Sequence, residues 1–304
     1  MKTLQTFNRK KIINLCKFHW KDALTDLLGF VPKIYGFDPF RGCLHDCIYC
    51  WLRVLNKRFK NIKPDCDFTN LELCENVSQM LAKELPKLPE NALIIACNST
   101  DLFQPIIPKS RLLQKQLLIW INALYDYNVL FMTKNGSLLR DCLKNKKFKF
   151  NLEKHIVGVT VTTNIENEAL RKRYELNSSS TSDRYSALDA ADHSGLKKFV
   201  SIEPPLMNPR KITEEIIDCG LGHNTWFVWG FANYSVKSLW TQGDYLNFNN
   251  DLLALRKKYP YENHRSKFFW KDECQKQIKE WLELSNNSLE CAEPTLGYND
   301  DLGI

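Results

Sequence analysis

The chain has 304 residues, of which 44% are hydrophobic and 25% are charged, and its formal net charge is +7. This length and composition fit one large domain, or one domain with a small appendage. No run of 18 apolar residues occurs and the first residues lack the apolar stretch of a secretory signal, which argues against a membrane-spanning or secreted protein. The eleven cysteines are irregularly spaced, which in a chain of this size indicates reduced thiols rather than a disulfide framework. We therefore predict a cytoplasmic protein, and one without a membrane partner.

Charge is distributed unevenly along the chain. Residues 1–63 contain 13 Lys and Arg against 4 Asp and Glu, a net charge of +9, whereas residues 272–304 contain 2 against 8, a net charge of −6. Two basic runs consist of Lys57, Arg58, Lys60 and Lys63, and of Lys144, Lys146, Lys147 and Lys149. Such runs occur where proteins bind nucleic acid, and they are also common on solvated surfaces. Nucleic acid is therefore a candidate partner, and the sequence carries no signal for an oligomeric state.

Six strands are predicted in the first three quarters of the chain. Several have continuous apolar cores, such as 92–96 and 226–229, which is typical of strands buried on both faces of a parallel sheet. The predicted strands cover residues 33–38, 92–98, 128–133, 155–163, 197–203 and 225–231. A shorter strand is predicted at 267–270.

Helical patterns alternate with these strands and continue after them. The predicted helices cover residues 111–125, 183–193, 211–219 with Pro209 near its start, 246–258 and 272–284. A polar loop is predicted at 177–182, and residues 286–304 are predicted to be loose. Repeated βα units predict an α/β fold around a parallel sheet.

Three cysteines are spaced C-x3-C-x2-C, at Cys43, Cys47 and Cys50, directly after the first predicted strand. Thiolates this close on one loop can each bind one iron of a [4Fe–4S] cluster. The fourth iron then has no protein ligand from the motif and is open to a small molecule.

Zinc is the alternative metal for this loop. Cys66, Cys74 or His45 would then supply the fourth ligand, although zinc sites usually combine two separated C-x2-C pairs and this chain has one. The remaining cysteines show no ligand spacing, so the sequence does not predict a second cluster.

The cysteine motif resembles that of the radical SAM (S-adenosylmethionine) superfamily, in which an aromatic residue, here Tyr49, usually precedes the third cysteine. Further segments are similar to the spore photoproduct lyase-like branch and to an uncharacterised phage-type radical SAM family; they are residues 38–43, 99–105, 133–134 and 201–204. The resemblance runs from residue 38 to about residue 232. It implies a [4Fe–4S] cluster and S-adenosyl-L-methionine as cofactors, and a one-electron donor of the flavodoxin or ferredoxin type.

The same resemblance implies a domain organisation. A partial (β/α)6 TIM-like barrel would cover residues 33–232, preceded by an N-terminal extension at 1–32. A mostly helical C-terminal extension would cover residues 233–304 and end in a loose tail.

The resemblance also implies roles for residues at the C-terminal ends of the strands, where reactive groups gather in barrels of parallel strands. Lys134 and Ser99 would hold the carboxylate of SAM, Thr162 and Thr163 would reach its polar groups, and Glu203 would bind its ribose. Each has a plainer interpretation, as a surface lysine, as threonines favoured by β-propensity, or as a glutamate that shapes a strand exit.

Cys97 is the candidate catalytic residue. Its place near the end of the second predicted strand resembles that of the hydrogen-atom donor of spore photoproduct lyase, although Asp101 follows one residue later than in that branch. Free cysteine is also common in protein cores.

Three functions are compatible with the sequence. The favoured one is a radical SAM enzyme that cleaves SAM reductively to a 5′-deoxyadenosyl radical and takes a hydrogen atom from an unidentified substrate. The second is a lyase that repairs or modifies nucleic acid, similar to spore photoproduct lyase. The third is a non-catalytic iron–sulfur or zinc protein that binds nucleic acid.

Overall fold

The computed structural model describes residues 4–16, 20–53, 70–232 and 234–290. Its strands are β1 (Gln5–Phe7), β2 (Ile13–Leu15), β3 (Lys33–Phe37), β4 (Phe40–Arg41), β5 (Glu72–Cys74), β6 (Ala92–Ala96), β7 (Asn128–Thr133), β8 (His155–Thr160), β9 (Lys197–Ile202), β10 (Thr225–Trp229) and β11 (Lys267–Trp270). A small sheet has the order β1-β5-β4, and a large one the order β2-β3-β6-β7-β8-β9-β10-β11.

The large sheet confirms the predicted α/β fold. From β3 to β11 each strand pairs in parallel with the next one in the sheet, and β2 joins the edge antiparallel to β3. All six predicted strands are present, although most end one to three residues earlier than predicted. The strand predicted at 267–270 is the seventh parallel strand of this sheet. No pairing between the edge strands β2 and β11 is seen among the described residues.

Helices connect the strands and cover the sheet. They span Lys21–Leu28, Val77–Glu84, Arg111–Ala123, Gly136–Lys144, Glu168–Tyr174, Thr181–His193, Pro209–Asp218, Gln242–Lys258, Tyr261–His264 and Asp272–Glu290. In the parts of the chain that can be described, none of them offers a stretch long and apolar enough to cross a membrane.

Two helices differ from their predicted bounds by more than two residues. The other three differ by no more than two residues at either end, and the helix Thr181–His193 takes in the last two residues of the loop predicted at 177–182. The helix predicted at 246–258 begins earlier because Thr241 and Asp244 form a capping box at its start. The helix predicted at 272–284 continues to residue 290, so the prediction of a loose segment is wrong for 286–290. Residues 291–304 lie outside the described residues.

Both faces of the large sheet are buried because successive side chains alternate between them. One face packs against the connecting helices in a core that includes Val157, Val200 and Phe227. The opposite face packs against the helix Lys21–Leu28 in a smaller cluster. This cluster includes Phe199 and apolar residues of the neighbouring strands.

The helix Lys21–Leu28 joins strands that are far apart in the order of the large sheet. Trp226 of β10 donates its indole N–H to Asp26 at 2.7 Å, and Lys267 of β11 pairs with the same carboxylate at 2.6 Å. Lys197 of β9 donates to a helix carbonyl at 3.1 Å. Since β3 follows the helix after a short turn, one helix links the first parallel strand to the last three.

His155 couples the stability of this core to pH. The ring is fully buried, Nδ1 accepts from the N–H of Asn151 at 3.1 Å, and Nε2 lies 3.1 Å from the carbonyl of Leu124. Burial lowers the pKa of His155 from 6.5 to about 4. The unfolded chain therefore binds the proton more readily, and we expect the free energy of unfolding to fall by about 3 kcal/mol as the pH drops from neutral to the folded pKa.

Urea unfolding at pH 7 and pH 4 measures this effect. The His155→Gln variant should lose less stability between the two pH values than the wild type does. An equal loss in both proteins would assign the acid sensitivity to other groups.

Candidate functional site

The cysteine loop lies at the C-terminal edge of the parallel sheet. It follows β3 and the short strand β4, and Gly42 begins it with a φ of 79°, a conformation that glycine adopts readily. Cys43 and Cys47 are buried and Cys50 is half-buried. The carboxyl ends of parallel strands meet at one edge of a sheet, so the thiols share this edge with the polar residues after the other strands.

A segment after β8 holds the loop through its backbone, and we call residues 174–178 the strap. The N–H of Ile48 donates to the carbonyl of Tyr174 at 2.9 Å. Cys47 forms an isolated antiparallel bridge with Glu175. The strap therefore orders the backbone on which the thiols are carried.

Glu175 and Arg184 form a fully buried ion pair beside the loop. The Tyr49 hydroxyl donates to the same carboxylate, as do the hydroxyls of Thr162 at 3.2 Å and Ser178 at 3.0 Å. Burial would raise the pKa of Glu175, but the charges of Arg184 and Lys134, together with the hydrogen bonds to the carboxylate, outweigh burial and the pKa falls to about 2. The carboxylate is therefore charged at neutral pH and accepts four hydrogen bonds.

Lys134 follows β7 and brings a positive charge to the loop. Its Nζ lies 5.7 Å from the centre of the Tyr49 ring. Burial opposes the charge of Lys134, but Cys47 and Glu175 outweigh it and raise its pKa. In return, the ammonium opposes the increase that burial causes in the pKa of Cys47 and of Cys50.

Burial and mutual repulsion oppose ionisation of the thiols in this loop. Burial raises the pKa of Cys43 to about 12, with the charge of Cys50 adding to the shift. Burial also raises the pKa of Cys47, and both other cysteines add to it. The free thiols are therefore neutral, and a bound metal would displace their protons. Across the described ranges, no group of three or more His, Cys, Asp and Glu side chains is arranged as a ready ligand set for a metal ion.

Asp101 and Gln104 hold the other side of the loop. Asp101 accepts from the N–H of Lys134 at 2.9 Å, and His45 Nε2 lies 2.9 Å from its carboxylate. The Gln104 amide donates to the carbonyl of Asp101 at 2.9 Å and lies 3.5 Å from the Cys43 sulfur. These contacts connect the cysteine loop to the segment after β6.

The residues that the sequence singles out fall into two groups. One group lies around the loop, and its members interact by hydrogen bonds, a ring contact or electrostatics; it contains Cys43, Cys47, Tyr49, Cys50, Lys134 and Thr162. The other group has separate partners. Ser99 donates its N–H to Asp38 at 2.9 Å, and the Thr163 hydroxyl lies 3.3 Å from that of Thr181.

Glu203 and Cys97 also lie apart from the Glu175 contacts. Glu203 accepts from Lys271 Nζ at 2.7 Å. Cys97 is 5% exposed and belongs to the main hydrophobic core, where burial raises its pKa well above the ordinary value.

Three predictions concern other regions. Cys66 and the basic run within 57–63 lie outside the described residues. Cys74 donates its thiol to Asn76 at 3.1 Å. The lysines of the run 144–149 are exposed. Lys144 ends the helix Gly136–Lys144 and the others lie between this helix and β8, at the edge of the sheet opposite the cysteines.

Three further site residues have no motif in the sequence. Glu175 and Arg184 lie on either side of a segment whose sequence indicates only a polar loop. Their roles depend on contacts with the cysteine loop, which is distant in sequence. The position of Lys271 could have been recognised from the sequence, because it directly follows a predicted strand and polar site residues often lie at strand ends.

Comparison of the chain with protein-family models gives no match, and comparison with curated proteins gives none either. The function is therefore inferred from the cysteine motif and the contacts around it.

Proposed function

We propose that this chain is a radical SAM enzyme of unidentified substrate. One observation carries the proposal: the three cysteines of a C-x3-C-x2-C motif lie on one ordered loop at the C-terminal edge of a parallel sheet, with Lys134 beside them. Cys43, Cys47 and Cys50 would hold a [4Fe–4S] cluster, and SAM would bind at the iron left open. A flavodoxin or ferredoxin type of donor would supply one electron.

The residues present fit this group. Thiolates are soft ligands that suit iron–sulfur clusters. Lys134 offsets part of the negative charge that three thiolates would bring to the loop. The strap and the Gln104 amide hold the loop by contacts that do not involve the metal.

We further propose that the sheet is curved into a partial (β/α)6 TIM-like barrel, with β11 as an added strand. Two sets of contacts support the curvature. The helix Lys21–Leu28 links the first parallel strand to the last three. Cys47 and Tyr49 pack in one cluster with Leu206 and Ala232, which follow β9 and β10. In a flat sheet these strand ends would lie far apart, because neighbouring strands are about 4.8 Å apart.

When bound, the cluster would supply the electron that cleaves SAM to methionine and a 5′-deoxyadenosyl radical, which takes a hydrogen atom from the substrate. Lys134 would hold the SAM carboxylate as a compact positive charge. Glu175 orients the Tyr49 ring by its hydroxyl, so that one face of the site is fixed before a ligand binds. Leu206 and Ala232 pack against Cys47 and Tyr49 and would shield this side of the loop from water.

Anaerobic reconstitution tests the proposal. After incubation with iron and sulfide, the protein should convert SAM to 5′-deoxyadenosine when dithionite is present, as measured by chromatography. The matched control omits dithionite and should give no product, because the cleavage needs an electron. A protein that holds the cluster and binds SAM, yet yields no 5′-deoxyadenosine, would contradict the assignment as an enzyme.

A further inference from the structure

We propose that Gln104 is a positioning residue for the metal centre: its amide donates a hydrogen bond to the Cys43 sulfur and thereby raises the reduction potential of the [4Fe–4S] cluster. This inference rests on the proposed function, because it requires Cys43 to bind iron. The observations that carry it are the hydrogen bonds of one buried amide and the separate partners of the three cysteines.

The segment after β6 holds Gln104 beside the cysteine loop. The Asp101 carboxylate accepts from the N–H of Phe103 at 2.8 Å, and the Asn135 amide donates to the carbonyl of Phe103 at 2.8 Å. The Gln104 side chain itself is fully buried. A buried side chain on a segment that is bonded from both sides has little freedom to turn away, so the amide keeps a fixed direction.

Backbone contacts determine which way the Gln104 amide faces. Its oxygen accepts from the N–H of Leu44 at 2.9 Å, and its nitrogen donates to the carbonyl of Asp101 at 2.9 Å. Exchanging the two atoms would break both bonds, because the nitrogen cannot accept and the oxygen cannot donate. One N–H of the amide remains, and the Cys43 sulfur lies 3.5 Å from the nitrogen. The sulfur is therefore the acceptor for the last donor of this amide, as expected for a buried polar group.

A sulfur that binds iron is a better acceptor than a thiol sulfur. The thiol is a weak acceptor, whereas a ligand sulfur is a thiolate with negative charge. Hydrogen bonds to charged acceptors are roughly twice as strong as those between neutral groups. Reduction adds one more negative charge to the cluster and its ligands, so the bond from Gln104 stabilises the reduced cluster more than the oxidised one. Hydrogen bonds to the sulfurs are among the features that set cluster potentials, and this one raises the potential.

Each cysteine of the loop has its own stabilising partner. The Lys134 ammonium opposes the increase that burial causes in the pKa of Cys47 and of Cys50. The neutral Gln104 amide opposes the increase that burial causes in the pKa of Cys43. Because the proposed function assigns Lys134 to SAM, Gln104 is the residue through which the potential can be altered without removing the charge that holds SAM.

Redox titration of the anaerobically reconstituted protein, followed by electron paramagnetic resonance without SAM, tests the inference. Gln104→Met removes the N–H donors without adding a charge. At a fixed solution potential the ratio of reduced to oxidised cluster should fall about three- to tenfold, the effect of losing one hydrogen bond. This corresponds to a decrease of roughly 30–60 mV in midpoint potential, because a tenfold change is about 59 mV for one electron. Gln104→Glu turns a carboxylate oxygen towards the sulfur, so its potential should fall further.

The same two changes at Gln114 are the matched controls. This glutamine is exposed on the helix Arg111–Ala123, and its amide donates to the carbonyl of Pro108. Gln114→Met and Gln114→Glu should both keep the wild-type potential, because neither touches a cysteine sulfur.

Pulsed electron paramagnetic resonance detects the bond in the wild type itself. With the side-chain nitrogen of glutamine isotopically labelled, the reduced cluster should show a nitrogen coupling that is also present in both Gln114 variants and absent in Gln104→Met. This measurement keeps the test decisive if the Gln104 variants bind no cluster. A wild type without the coupling, or a Gln104→Met protein that holds the cluster at the wild-type potential, would overturn the inference and leave the proposed function intact. A wild type that binds no cluster would overturn both.

Discussion

Replacing Cys43, Cys47 or Cys50 with alanine should abolish cluster binding and, with it, the formation of 5′-deoxyadenosine. Each thiolate would be the only protein ligand of one iron, so its removal leaves an iron without protein attachment and the effect is complete rather than graded. Iron and acid-labile sulfide per chain, measured after anaerobic reconstitution, report the loss directly.

Cys142→Ala is the matched control. Cys142 is a buried cysteine on the helix Gly136–Lys144, away from the loop, so its removal should cost packing but no iron. If all three loop variants retained iron and sulfide at the level of the control, the metal would have to be assigned to other residues.

Replacing Glu175 with glutamine should lower the free energy of unfolding by about 3–5 kcal/mol, because the buried Arg184 loses its counter-charge. Four side chains bond to this carboxylate in the native structure, and Tyr49 ties the cysteine loop to it. The pKa of Glu175 is lowered from 4.5 to about 2. The contribution of the pair should therefore be present above pH 4.5 and be lost as the pH falls through the folded pKa.

Urea unfolding of three variants separates the buried pair from ordinary surface pairs. Asp141→Asn breaks a pair whose carboxylate side chain is 63% exposed, and its effect should stay below about 1 kcal/mol. Glu175→Gln combined with Arg184→Met should regain part of the stability, since the guanidinium is then no longer buried without its counter-charge. A loss for Glu175→Gln as small as that for Asp141→Asn would mean that the ion pair does not support the loop.

Local sequence patterns were sufficient to locate the seven parallel strands of the large sheet, whereas β1, β2, β4 and β5 were not predicted. β7 and β11 match their predicted bounds residue for residue, because each is a short apolar run between polar residues. The prediction did not include the pairing of β11 with β10, since that contact joins segments separated by a long helical stretch. Strand ends were predicted too late because polar residues that follow a strand, such as Thr162, still fit a strand pattern.

The site was predicted only where its residues are close in sequence. The spacing of Cys43, Cys47 and Cys50 identifies the loop, and the resemblance points to Lys134. Glu175 was missed because its contact with Tyr49 spans 126 positions in the chain and nothing local distinguishes it from a solvated glutamate. Glu203 was predicted, but its partner Lys271 lies 68 positions away, in a region without a recognisable motif.

Electron paramagnetic resonance of the dithionite-reduced wild type, recorded with and without SAM, tests the central claim most directly. A reduced [4Fe–4S] cluster held by three cysteines should give a spin-½ signal, and SAM binding at the open iron should change its g-values. A colourless protein that contains stoichiometric zinc and gives no signal would contradict the account.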